Sequence, residues 1–569
     1  MNKNKVFTGI IAGAKEVMHH KSQLNKINVF PVADGDTGSN LYSTMQSIVK
    51  YSEEKSTLKM TLESVADAAI VGARGNSGII MAQYFQGFSE GIHEDEVTSK
   101  VFVEASSMGF KYAYSAVETP VEGTMLTIMR VFHEALAECT LDNMEHALEL
   151  AYKHVIKAVE KTTEQLKVLK KASVVDSGAK GFQVFLKGFI KGIKGETIIE
   201  VEEDVPEIDH VHEDDFNFRY CTEALIGGFK GDIKEVLKPY GDSLIIAGNE
   251  RKTRIHIHTD QPTQVFDVLS DKGVLLEQKV EDMKMQYDVV HHRKYNRVIV
   301  TDSIADIPKN ILDEDQVQVV NLSLLIGNES YIDKLTIDNE KVLKLSALKP
   351  TSSLPTEKQV GGLYEYLATY YDEIIVLSVS KALSGTYNVF KKLAENRSDI
   401  HVIDTMQNSI AQGVLVHQCI DYLKQGVETN ELLEKIESDI KASKILVKVD
   451  SIEPMITSGR LSVKMGAIVK RLGIKPIVTL KDGEGAIAGV GLSKKNALKQ
   501  VIKKTLNVHH ESGFKKLAIT YVDDPSEAEV FKTTLEEAGI KVDYIVKSSA
   551  IIANGAGKGA VAVGYIKEH

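Results

Sequence analysis

NVFPVADGDTGSN, residues 28–40, sets two carboxylates, Asp34 and Asp36, either side of a glycine. Oxygen ligands so spaced can face a common point. They suit Mg²⁺, which takes one or two protein carboxylates together with substrate phosphates. The same residue types also make a capped surface turn, because Asp, Gly, Thr and Asn all favour turns. A second glycine-bearing stretch, GARGNSG (72–78), precedes an amphipathic helical pattern. Small residues there let backbone N–H groups approach a phosphate, and a helix N-terminus favours the anion. Taken alone it reads better as an ordinary N-cap. No G-x-x-x-x-G-K-[ST] occurs, which argues against a P-loop kinase.

Around these two loops the first ~195 residues carry helical periodicity, in Leu58–Val71, Ile79–Phe88 and Ala147–Val159. Two more glycine-bearing breaks, EGTM (122–125) and VVDSGAKG (174–181), interrupt the helices. The acidic stretch 196–215 reads as a linker with a solvated charge run. Beyond it, residues 216–287 alternate apolar and polar at Ser243–Ala247 and Thr253–His258, which predicts strands. Helices are expected at Ile233–Leu237 and Gln264–Leu269, making a small α/β domain. From Arg297 onward strand, loop and helix repeat: 298–300, 374–380 and 401–404 each deliver a small-hydroxyl loop. That is the layout of a parallel α/β sheet with a site at the strand C-termini. VTLKDGEGAIAGV (478–490) signals a hairpin with Asp-Gly at its turn.

Composition narrows the class. The chain has 569 residues, enough for about three or four domains. With 43% apolar and 26% charged residues, disorder and collagen-like structure are excluded. A net charge of −11 disfavours nucleic acid as a partner. Three cysteines without close spacing fit a reducing compartment rather than a disulfide framework. The opening residues carry no long apolar stretch, and no run approaches the ~18 apolar residues of a membrane span. The expected location is therefore cytoplasmic.

In the middle segment Cys221 lies in FRYCTEALI, and His256 and His258 lie two apart in IHIHTD. On a strand both imidazoles point to one face. A thiolate and two imidazoles make a candidate zinc site with a fourth position open. The plainer alternative is a half-buried strand with satisfied histidines and a core cysteine.

The four motifs NVFPVADGDTGSN, GARGNSG, EGTM and VVDSGAKG, in this order, resemble the nucleotide-binding L-domain of dihydroxyacetone kinases. More closely they resemble FakA, the kinase component of bacterial fatty acid kinase. The resemblance implies an α-helical barrel that holds ATP through Mg²⁺. Asp34 and Asp36 match the metal-binding aspartates, and Asn28 falls near a third ligand position. Thr37, Gly38 and Asn40 line the same loop, and Asn76, Ser77 and Gly78 match the phosphate-contacting helix start. Thr124 and Met125 match the segment beside the nucleotide, and Asp176 and Gly178 the loop that closes over it. The YCTE and HxHT motifs are similar to functional motifs of the FakA middle domain. That resemblance carries Cys221, His256 and His258 over as catalytic and zinc-binding candidates; Glu223 and Thr259 are left aside.

The last ~275 residues resemble the DegV family, the fatty-acid-binding FakB carriers, in TDSIADIP (301–308), PTSSLPT (350–356), LSGTY (383–387), SGRLS (458–462) and IKPIV (474–478). The resemblance implies a carboxyl site made by Thr351, Ser352, Ser384, Gly385, Thr386 and Arg460, with an acyl tail in an apolar tunnel. The physical reading agrees: hydroxyl donors, a strand-to-helix junction and a guanidinium all suit a carboxylate. Where many members carry a histidine in the C-terminal loop, this sequence has Gly555. The expectation is a multidomain chain: an all-α helical barrel kinase domain (1–198), a small α/β middle domain (199–290) and a two-lobed α/β DegV-like domain (296–569). Its expected activity is Mg-ATP-dependent phosphorylation of a fatty acid to an acyl phosphate. The partners implied are a fatty acid or related lipid carboxylate, separate DegV-like carriers and a second copy in a homodimer. The alternatives are a dihydroxyacetone-type kinase of a small hydroxyl compound, or a nucleotide-sensing lipid-binding protein.

Overall fold

The computed structural model describes residues 3–30, 35–94, 97–139, 143–196, 217–249, 251–461 and 474–568. Asp34 and nearly all of the acidic stretch expected as a linker lie outside these. The chain divides into two compact units, Met1–Met283 and Lys284–His569.

The first unit begins with helices α1 (Lys3–His19), α2 (Lys21–Lys26), α3 (Thr37–Tyr51), α4 (Leu58–Gly72), α5 (Gly75–Glu90), α6 (Ser99–Ala116), α7 (Met125–Glu138), α8 (Met144–Gln165), α9 (Lys167–Ala172) and α10 (Ser177–Lys194). Each long helix packs on the next around a ring, α1-α3-α4-α5-α6-α7-α8-α10, and α10 returns to α1. This closure is the barrel expected from the sequence. The closing seam rests on glycine: a Cβ on Gly192 would lie 2.9 Å from the Gly9 Cα, so α1 and α10 meet backbone to backbone. Inside, Phe85, Phe102, Phe132, Phe182, Phe185 and Phe189 form an aromatic core of edge-to-face and stacked pairs. GARGNSG was expected to precede an amphipathic helix. Instead Gly75–Gly78 are the first turn of α5, and that helix is buried around most of its circumference because it also carries the middle domain.

The middle domain is an antiparallel sheet of β1 (Tyr220–Gly227), β2 (Asp242–Gly248), β3 (Lys252–Thr259) and β4 (Val274–Asp282), in the order β2-β3-β1-β4. Helices α11 (Ile233–Leu237) and α12 (Pro262–Ser270) fall where periodicity predicts them. Leu225, Ile245 and Ala247 join the barrel's own hydrophobic core, which fixes the sheet to the helices.

The second unit has two lobes. In the first, β5 (Arg297–Asp302), β6 (Gln318–Val320), β10 (Glu373–Ser378) and β11 (Ile400–Asp404) form a parallel sheet. A small antiparallel sheet of β7 (Ser323–Ile326), β8 (Glu329–Ile332) and β9 (Thr351–Ser353) adjoins it in sequence. The three strands read from the sequence as parallel fall at β5, β10 and β11 of the first lobe, and the second lobe is mostly antiparallel. It orders β14 (Glu484–Gly491), β13 (Lys475–Lys481), β12 (Ser443–Lys448), β17 (Val561–Lys567), β15 (Phe514–Tyr521) and β16 (Tyr544–Lys547). Only β15 and β16 in it are parallel. The hairpin expected at 478–490 is present: the Asp482-Gly483 turn, with φ of 52° and 81°, folds β13 back onto β14.

Candidate functional site

In a ring of alternating up and down helices, every second one starts at the same rim. Those are α3, α5, α7 and α10, and each of the four motifs supplies one of these N-termini. Contacts between the starts support this. A Cβ on Gly75 would lie 2.1 Å from Asn40 Nδ2, so the α5 start rests on the α3 loop. The buried Asp176 caps α10 by accepting from the Ala179 N–H at 2.7 Å. Burial raises its carboxyl to about 7, while backbone hydrogen bonds from Ala179, Met125 and Gly178 pull the other way. Asp176 thereby ties the α7 start to the α10 start. It was expected in a covering loop; the structure makes it a helix cap, with Gly178 inside the first turn.

Asn28 and Thr37 are buried, and the Thr37 hydroxyl donates to the Asn28 side-chain oxygen Oδ1. Asp36 is half-buried at the α3 N-cap position. A Cβ on Gly38 would lie 2.1 Å from the Lys21 carbonyl, so α3 sits directly on α2. Thr124 stands at the α7 N-cap, but its hydroxyl donates to the Val121 carbonyl at 2.8 Å rather than capping. Of the α5 donors, the Gly78 N–H is already used by Arg74 O at 3.1 Å. The Asn76 and Ser77 amides precede the first intrahelical bond and remain available to an anion.

The middle sheet presents one polar face whose residues the register fixes. Cys221 on β1 stands between His258 on β3 and Glu281 on β4. One pair further, Glu223 stands between His256 and Lys279. One pair beyond that, Leu225 stands between Arg254 and Glu277. This third row docks on the barrel. Arg254 donates to the Val71 carbonyl at 2.6 Å, and Glu277 accepts from both Arg254 (2.9 Å) and Arg74 (3.0 Å). The second row reaches the start of α5: Glu223 Oε1 accepts the Gly75 N–H at 2.5 Å.

Ligand atoms of Cys221, His256 and His258 lie within 4.8 Å of one another, the only such His/Cys/Asp/Glu group among the described residues. Cys221 Sγ is 3.7 Å from His256 Nδ1. Burial, then the charge of Glu223, pushes the thiol well up, and Asp36 across the rim adds to it. Burial, then His256, lowers His258 to about 3, so its imidazole is neutral and able to ligate. The donor set fits Zn²⁺: two imidazoles and a sulfur on one face, with His256 Nε2 buried and unpartnered among the described residues. Sequence reasoning left Glu223 aside, yet it is only 2% exposed and sits within this grid. The signal was present in YCTE, since residues two apart on a strand share a face.

In the second unit a cavity of about 120 Å³ lies between the lobes, walled by strands of the antiparallel sheet on one side and by loops of the first lobe on the other. Ser352, Ser384 and Arg460 line it, as does Gly555. Arg460 donates to Ser352 Oγ at 3.1 Å, and burial lowers the guanidinium's pKa. Thr351, Gly385 and Thr386 do not line the cavity. Thr351 is exposed because strand neighbours alternate faces. Thr386 is fully buried and shares a 2.8 Å hydrogen bond with Ser384. Ser384 was expected where a strand meets a helix; a loop from 379 to 385 separates β10 from the helix Thr386–Leu393. Of the TDSIADIP aspartates, Asp302 braces its own lobe and Asp306 ties the first lobe to the second. Asp302 accepts from the Val379 N–H at 2.8 Å, and Asp306 from the Ser549 N–H at 3.0 Å.

Family models match the chain in three places. A DAK2 domain matches residues 31–191, the FakA-like fatty acid kinase middle domain matches 217–290, and the DegV family matches 297–568. Curated relatives, uncharacterised proteins of Staphylococcus aureus, are 31% identical over 451 residues, covering 72% of this chain and 81% of theirs. Among solved structures, a fatty-acid-binding DegV family protein from Thermus thermophilus is 23% identical, covering 48% of this chain and 99% of that one, with a TM-score of 0.45. The fatty acid kinase B3 protein of Streptococcus pneumoniae, loaded with linoleic acid, is 18% identical over 48% of this chain and 99% of its own, with a TM-score of 0.43. The chain belongs to one family with these Staphylococcus aureus proteins and joins a DAK2 domain, a FakA-like middle domain and a DegV domain in one polypeptide.

Proposed function

We propose that the protein is an ATP-dependent fatty acid kinase that converts a carboxylate held by its DegV domain into an acyl phosphate. We place the functional boundaries at 1–198, 199–290 and 296–569. The observation that carries this reading is the meeting of four motif-bearing helix starts at one barrel rim with the Cys/His face of the middle sheet. The cavity lined by Ser352, Ser384 and Arg460 supplies a matching place for an acyl carboxylate.

In this reading Asp36, with Asp34, holds the cation that neutralises the triphosphate, and bound Mg²⁺ supplies charge stabilisation of the transferring phosphoryl group. The Asn76 and Ser77 amides orient phosphate oxygens at the positive end of α5. A carboxylate oxygen attacks the γ-phosphorus, the bond to the β–γ bridging oxygen breaks, and ADP leaves. Arg460 holds the carboxylate by a charge-assisted hydrogen bond. Cys221, His256 and His258 hold zinc, which when bound supplies a Lewis acid beside the phosphate rim. The resemblance extends the reading to a cytoplasmic homodimer that also serves separate DegV-like carriers. No described helix is long and apolar enough to cross a membrane.

The test is to extract bound lipid for mass spectrometry and assay ATP turnover with oleate, with dihydroxyacetone and with neither. Oleate-dependent turnover and a co-purified fatty acid are expected; absence of both overturns the reading. Asp36→Ala is expected to abolish turnover while the far-ultraviolet circular dichroism stays unchanged. Cys221→Ser is expected to lose most of its zinc by elemental analysis. Gly555, in place of the family histidine, favours a second reading in which the DegV domain binds lipid as a regulator. That reading predicts bound lipid with no acyl phosphate formed.

A further inference from the structure

The rim and the Cys/His cluster share one side chain. Glu223 Oε1 accepts the Gly75 N–H at 2.5 Å and lies 3.6 Å from His256 Nδ1. Glu223 is 2% exposed and His256 3%, so water does not screen the pair. Gly75 is the first residue of α5 and the N-terminal end of the proposed phosphate-binding turn, held at φ 54° against Asn40 of the metal loop. Any displacement of Glu223 therefore moves the amides that an anion would meet. Glu223 is not itself among the three clustered donors. It occupies the place of an outer-shell carboxylate, which fixes the orientation of a ligating imidazole.

We propose that Glu223 is a positioning residue that couples the Cys221/His256/His258 cluster to the phosphate loop, so that zinc at one site strengthens nucleotide binding at the other. The inference rests on the reading above, in which nucleotide and zinc bind at these two places. Two effects give the coupling its sign. Zinc fixes His256, which fixes Glu223 and so Gly75. The cation also offsets the carboxylate's charge, which would otherwise repel the phosphates. Coupling is reciprocal, so nucleotide must tighten zinc by the same factor.

The experiment measures nucleotide affinity by calorimetry with Mg²⁺ and a non-hydrolysable ATP analogue. It uses the full chain as purified with zinc and after chelation, in wild type, Glu223→Gln and Glu223→Ala. Wild type is expected to bind the analogue about fivefold or more weakly without zinc. Glu223→Ala should show the same affinity in both states. Glu223→Gln keeps the side chain's shape and guards against a misfolded alanine variant; it should retain at most a small part of the zinc effect. A purely structural role for Glu223 would lower affinity equally with and without zinc, and that result overturns the proposal. So does an unchanged zinc effect in both variants, or no zinc effect in wild type. Failure of wild type to bind either zinc or the analogue would instead bring down the underlying reading together with this inference.

Discussion

Arg460 reaches Ser352 at 3.1 Å on the wall of the inter-lobe cavity, and burial makes its charge costly to hold there without an anion. A half-buried guanidinium beside the Ser352 hydroxyl therefore gains from a carboxylate more than an exposed one would. Arg460→Ala is expected to weaken fatty acid binding by ~2 kcal/mol, about thirtyfold, measured by displacement of a fluorescent fatty acid. Gly555 lines the same cavity, and a Cβ built there meets nothing within 4 Å. A side chain could therefore leave the backbone here without a clash at its first carbon. Nothing in the backbone at Gly555 demands glycine, since it is not among the residues with positive φ.

At the scale of elements, Gly75 is the joint between the helical rim and the middle sheet. Its φ of 54° and the 2.1 Å approach to Asn40 leave no place for a side chain. Gly75→Ala is expected to cost about 1–2 kcal/mol in urea unfolding and to weaken nucleotide binding by more than that loss of stability alone explains. Much of this architecture was legible in residue spacing. Periodicity located α4, α8, α11 and α12 and the strands β2 and β3, and the period of two put His256 and His258 on one face. What the spacing hid was which residues lie opposite each other across strands. The grid joining Glu223 to His256 and Lys279 depends on pairing, which no single strand records. Thr351 and Thr386 misled for a related reason: hydroxyl residues in a motif look alike in sequence, while strand alternation and helix burial turn some away from the cavity. The aspartates of TDSIADIP are buried carboxylates that take backbone N–H groups, Asp302 within its own lobe and Asp306 from the other, a role that spacing alone does not record.

At the scale of the whole molecule, the two compact units carry separate cores and separate candidate sites. Mg²⁺ with the ATP analogue is expected to slow hydrogen exchange at the starts of α3, α5, α7 and α10. A fatty acid should slow it only within 284–569, around Ser352, Ser384 and Arg460. At a hundredfold excess over Kd each ligand stabilises its own unit by about 2.7 kcal/mol, a difference that peptide-level exchange resolves. Protection appearing in the opposite unit for either ligand would contradict the assignment of sites. The seam between the lobes of the second unit has a consequence in time. The Ser380 hydroxyl bonds the Gly483 carbonyl at the hairpin tip, while Asp306 reaches Ser549 and Asn554 reaches Pro350, so several hydrogen bonds from separate loops clasp the two lobes together. A lipid between these lobes leaves only when the clasp opens as a unit, which makes its dwell time a property of the seam, while the pocket wall sets how tightly it is held.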